Sequence, residues 1–85
     1  MNSFTVISSD DAEAQLAALW MVAADRSAIT TAQHQIDQAL AADPHRAGRA
    51  LSEGLWRIDV PPLKAFYEID EIKRLVRITG IGRKA

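Results

Sequence analysis

The stretch that most constrains this chain is residues 54–82, where Gly54 is followed by LWRIDV, Pro61-Pro62, LKAFYEID, a short polar turn and RLVRITGIG. Each run is rich in β-branched and aromatic residues and bounded by Pro, Gly or charged turn residues, the pattern of consecutive antiparallel strands. Pairing the first two runs about Pro61-Pro62 and the last two about Glu71-Ile72 sorts the side chains by type. One face collects Trp56, Ile58, Val60, Leu63, Ala65, Tyr67, Ile69, Val76 and Ile78, and the other carries Leu55, Arg57, Asp59, Lys64, Phe66, Glu68, Leu75, Arg77 and Thr79. A slip of one residue would scramble that split, so the pattern itself argues for the register. The apolar face needs a cover. The mixed face is where function is expected.

The cover comes from the first half. Residues 4–8 are short and β-rich, a first strand. Ser9 or Asp10 then caps a helix, with Glu13 three residues after Asp10 as in a capping box. This helix runs to about Ala24, burying Ala12, Leu16, Leu19 and Ala23, with Trp20 beside them. Ser27 or Asp25 starts a second helix with Ile29, Ala32, Ile36, Ala39 and Leu40 on one face, and it ends before Pro44. Both helices are rich in Ala, so they are expected to lie close together as an antiparallel hairpin over the apolar face. Residues 45–53 read as a polar, mobile loop carrying Arg46 and Arg49. The expected architecture is α+β, in the order β-α-α-β-β-β, with the helical hairpin packed on one face of a small antiparallel sheet. A bulge at Gly80 would let Val76, Ile78 and Ile81 all point inward.

Eighty-five residues make a single domain, 1–85. There is no cysteine, which excludes disulfides, thiol catalysis and Cys-based metal sites. No stretch approaches the ~20 apolar residues of a membrane helix, and no basic leader precedes an apolar run, so a soluble cytoplasmic protein with no membrane partner is expected. The net charge of −1 hides an asymmetry: residues 1–43 hold one basic and six acidic residues, residues 44–85 nine basic and five acidic. A locally basic surface on the second half is therefore compatible with the neutral total. The sequence has no P-loop, dinucleotide turn or nucleophile elbow. Its two histidines lack matching carboxylate spacing, so no metal and no cofactor is expected. His34 reads as solvated, and His45 as a loop histidine.

On the mixed face, Arg57, Phe66 and Arg77 fall on one rung in the register above. They form a guanidinium–aromatic platform for a base or a partner side chain, to which the loop adds Arg46 and Arg49 as binding residues. Tyr67 points to the other face and reads as a core tyrosine with its hydroxyl at an edge.

The order of these elements resembles the RelE/ParE toxin superfamily, the toxic partners of bacterial toxin–antitoxin and plasmid-stabilisation modules. The Trp-Arg-Ile-Asp-Val strand after a helical hairpin, the LKAFYEID strand (similar to a basic-x-x-Tyr-x-Ile/Val pattern) and RLVRITGIGRK carry the resemblance. It implies a toxin neutralised by a cognate antitoxin. Such a toxin acts as a ribosome-dependent, metal-independent mRNA endoribonuclease or on a protein target such as DNA gyrase. Carried over by position, Arg57 matches the family's first basic residue, Lys64 its central phosphate-binding arginine, and Lys84, or Arg83 beside it, the basic residue after the last strand. Asp59 stands where a second basic residue is expected, opposite Lys64, which it would neutralise. The chain also lacks the C-terminal tyrosine of many active members. The alternative is therefore a catalytically degenerate protein-binding module of the same fold.

Overall fold

Ser9 opens the helical layer. Its hydroxyl accepts the Ala12 N–H at 3.1 Å, and Asp10, Asp11 and Glu13 occupy the first turn, where carboxylates meet the positive end of the helix dipole. With Ser9 as cap, the third helical residue is Ala12, so the reciprocal box expected of Glu13 is not made. In the computed structural model, which describes residues 3–84, this helix, α1, spans Asp10–Val22. Its last carbonyls are taken by one side chain: Arg26 donates through Nε to the Trp20 carbonyl (2.9 Å) and through Nη2 to that of Met21 (3.0 Å). The same guanidinium lies 4.6 Å above the Trp20 ring centre, and Trp20 is half exposed. The second helix, α2 (Arg26–Ala42), buries Ile29, Ala32, Ile36 and Leu40.

Most of residues 45–53 lie in regular secondary structure rather than in the loop expected from sequence. The Asp43 carboxylate accepts the N–H groups of His45 and Arg46 and, with Pro44 in the first turn, starts a short helix α3 (Pro44–Ala47). An edge strand β2 (Arg49–Ser52) follows. Every residue of β2 is exposed, so it has no alternation by which a sequence could announce it.

The remaining strands are β1 (Thr5–Ser8), β3 (Leu55–Val60), β4 (Leu63–Asp70) and β5 (Leu75–Arg83), in the spatial order β1-β5-β4-β3-β2. The α+β architecture is as expected from sequence, enlarged by β2 and by the parallel pairing of β1 with β5. Around Pro61-Pro62, whose peptide is cis, β3 and β4 pair as expected: Trp56 with Tyr67, Arg57 with Phe66, Ile58 with Ala65 and Asp59 with Lys64. The β4–β5 register differs by two residues. A two-residue hairpin turn requires positive φ, which Glu71-Ile72 does not favour. The chain instead turns over residues 71–74, with Arg74 at φ 53° and the Asp70 carboxylate accepting the Lys73 N–H at 3.0 Å. Arg77 therefore lies opposite Glu68, not Phe66.

Further along β5, Tyr67 pairs with Ile78 but Phe66 with Gly80, so Thr79 is an extra residue in the ladder. This bulge turns Val76, Ile78 and Ile81 inward together, as expected. α1 satisfies the disturbed backbone: Gln15 accepts the Ile81 N–H at 2.8 Å, and Ser9 donates to the Thr79 carbonyl at 3.4 Å.

The core lies between helices and sheet. α1 packs on β5 and β1, and α2 on β3, β4 and β1. The helices do not close against each other as their alanines led one to expect. A cleft between them is lined by Leu16, Ala17, Trp20, Met21 and Thr30. At the centre Tyr67 is fully buried, stacked on Trp56 and donating its hydroxyl to the Pro44 carbonyl at 2.7 Å. His45 fills the space between the Trp56 and Phe4 rings, edge-on to each, and pairs with Glu71. Gly48 is required here, because a Cβ would collide with the Tyr67 hydroxyl and the Arg57 carbonyl oxygen. Among the described residues no helix is long and apolar enough to cross a membrane.

Candidate functional site

The sheet face turned away from the helices is open, and alternation along the strands decides which side chains reach it. On β3 these are Leu55, Arg57 and Asp59; on β4, Lys64, Phe66 and Glu68. β2 adds Arg49, which pairs with Arg57 and so extends that rung outward. The Arg57 guanidinium lies 5.8 Å from the Phe66 ring centre. The guanidinium–aromatic platform thus forms as Arg49–Arg57–Phe66, with Gly80 rather than Arg77 closing the rung. Arg77 lies beyond Glu68, next to a shallow pocket formed by the β4–β5 turn.

The bulge at Thr79 decides the fate of the last two basic residues. Past it Gly80 and Gly82 take the open face, while Ile81 and Arg83 turn to the helical side. Arg83 accordingly bonds Asp25, the capping residue of α2, at 2.7 Å, and the structure does not bring it into the open-face cluster. Lys84 lies on the open face and reaches Asp59 at 3.3 Å. Lys64 extends across β5 above Gly82, where a Cβ would approach its Cε to 3.1 Å. Arg46 is exposed on α3, whose Pro44 meets Tyr67 beneath the sheet, and no bond links it to the cluster.

Asp59 does not act as its register position led one to expect. Although it pairs with Lys64 along the backbone, its carboxylate turns along its own strand and beyond it. Oδ1 accepts from Arg57 Nε at 2.7 Å and Oδ2 faces Lys84 Nζ. Residues two apart on a strand share a face, so the Arg57-x-Asp59 spacing carried this signal. The Arg57 hydrogen bond holds the Asp59 carboxyl below its ordinary range, overcoming the upward push of partial burial, and Lys84 adds to the effect. Chemically, the face offers Arg57, Lys64 and Lys84 to an anion and Phe66, with half-buried Leu55 and Leu75, to an apolar or aromatic group. Asp59 offsets one of those three positive charges and engages two of the three cations.

No family model matches the sequence, and comparison with curated proteins finds no match. Comparison with solved structures does. The toxin–antitoxin complex RelBE2 from Mycobacterium tuberculosis contains a chain that is 19% identical with a TM-score of 0.81, over 96% of this chain and 99% of that one. The chromosomal ParDE system of P. aeruginosa gives 17% identity and a TM-score of 0.72, covering 100% of both chains. The intact E. coli RelBE complex gives 8% identity and 0.61, over 98% and 99%. With so few identical residues, what is shared is the path of the backbone over nearly its whole length: this protein has the fold of the RelE/ParE toxins.

Proposed function

We propose that this chain is the toxin component of a toxin–antitoxin pair, working in the cytoplasm through the open face of its sheet and neutralised by a cognate antitoxin. The supporting observation is the backbone likeness, over nearly the full length of each chain, to chains found in toxin–antitoxin complexes. Of the two activities that the resemblance implies, the ion pairs of Asp59 favour action on a protein target such as DNA gyrase over strong cleavage of ribosome-bound mRNA. Metal-free cleavage needs cations aimed at the phosphate as charge develops there, and the loss of one such contact raises the barrier by ~2.7–4 kcal/mol. Here a carboxylate holds two of the cations. The same observation favours a second reading, a degenerate module of this fold that binds a protein without being toxic.

Inducing the chain with and without the product of whatever reading frame adjoins its gene separates these readings. Growth arrest relieved by that partner, with both proteins co-purifying, supports the toxin; no arrest with retained co-purification supports the binding module. Supercoiling by purified gyrase and primer extension on a translated reporter mRNA then identify the target. Any mRNA cleavage should fall about a hundredfold in Lys64→Ala and stay unchanged in Arg83→Ala, whose side chain faces the helices. Equal loss in both would move the site off the open face.

A further inference from the structure

Asp59 and its two cations come together from separate segments. Arg57 precedes it by two residues on β3, and Lys84 follows β5, its backbone N–H held by the Pro62 carbonyl at 2.9 Å. Each carboxylate oxygen faces a different cation, Oδ1 the Arg57 Nε at 2.7 Å and Oδ2 the Lys84 Nζ at 3.3 Å. The side chains are shielded from solvent, with 20% of Asp59, 23% of Arg57 and 35% of Lys84 exposed. Lys64 stands opposite Asp59 in the ladder. A carboxylate held this way presents to the two cations the pair of anionic oxygens that a phosphate group presents. A phosphate brought to the same cations meets the Asp59 charge at close range and competes with it for the same donors.

We propose that Asp59 is the internal occupant of an oxyanion site formed by Arg57 and Lys84, with Lys64 on the adjoining strand, and that the open face takes a phosphate group only when Asp59 gives way. The inference rests on the reading of this face as the working surface of the protein. It concerns what keeps that surface closed, and its readout, phosphate affinity, is independent of growth arrest. A toxic chain whose Asp59 variants bind phosphate no better would refute the inference and keep the toxin; tight phosphate binding by the variants of a non-toxic chain would do the reverse.

The test is a titration with inorganic phosphate at pH 7 and constant ionic strength, followed by the NMR signals of Arg57 Nε–H and the backbone amides of Lys64, Gly82 and Lys84. The proteins are the wild type, Asp59→Asn, Asp59→Ser and the double variant Asp59→Asn/Lys84→Ala. Both single variants should bind phosphate about tenfold or more tightly than the wild type, the ordinary worth of one hydrogen bond to a charged group. The double variant should lose that gain. Either folded single variant binding as weakly as the wild type would overturn the proposal, as would full affinity in the double variant. Failure of both single variants to fold would overturn it too, because an occupant can leave its site and a structural strap cannot.

Discussion

Tyr67→Phe isolates the hydroxyl at the centre of the fold. The substitution keeps the ring stacked on Trp56 and removes only the 2.7 Å bond to the Pro44 carbonyl. Pro44 is itself buried, so its carbonyl oxygen is left without that partner, at a cost of ~1–3 kcal/mol. The wild type carries a second signature. Burial, reinforced by the nearby Asp43 charge, pushes the Tyr67 hydroxyl up to about 12 from its ordinary 10.0. The folded protein thus holds this proton more tightly than the unfolded chain. The resulting stability is fully present below pH 10 and is lost as pH rises through 10 to 12. Two units correspond to about 2.7 kcal/mol in all, of which about 1.4 kcal/mol is gone at pH 11. Urea denaturation of both proteins at pH 8 and pH 11 measures this directly. Deprotonation of lysines affects both alike, so the wild-type advantage at pH 8 should shrink by about 1.4 kcal/mol at pH 11. Equal stability at pH 8, or parallel loss in the two proteins between the two pH values, would refute the account of Tyr67.

Trp56→Ala removes the ring between His45 and Tyr67 and should destabilise the protein by roughly 3 kcal/mol in the same assay, enough to unfold much of a small domain. Gly48→Ala places a methyl against the Tyr67 hydroxyl and the Arg57 carbonyl and should cost more than about 2 kcal/mol, with a visible fall in melting temperature. Arg83→Ala breaks a solvent-exposed pair with Asp25 and should leave the urea midpoint almost unchanged, with any small loss reduced further by added salt.

The parts that were legible in the sequence are those whose side chains alternate between two environments. Trp56, Ile58, Ala65 and Tyr67 declare a face, and Pro61-Pro62 marks where the chain reverses, so the β3–β4 register follows. The stripe of Ile29, Ala32, Ile36 and Leu40 declares α2 in the same way. The β4–β5 turn has no such marker, since Glu71, Ile72, Lys73 and Arg74 include no Gly, Asn or Pro. A turn read from the sequence at Glu71-Ile72 is therefore two residues too short and sets Arg77 opposite Phe66 instead of Glu68. β2 lacks a buried side to announce it. The choice between Arg83 and Lys84 depended on one extra residue in a ladder: with no bulge at Thr79 their faces would be exchanged. The bulge was inferred from Ile81, and its consequence for the two basic residues follows by counting. The partners of Asp59 depended on side-chain reach, which pairing along the ladder does not give.

The parallel pairing of β1 with β5 joins Thr5 to Leu75. These partners come from nearly opposite ends of the sequence, and loops that long close slowly. During synthesis the first strand and α1 must wait for β5, the strand they pack on, which follows them by most of the described chain. Until then Phe4, Val6 and Leu16 have no sheet to cover, and Lys84 has not joined Arg57 and Asp59. Until β5 has been laid down, a nascent chain of this kind has neither a closed core nor an assembled basic cluster.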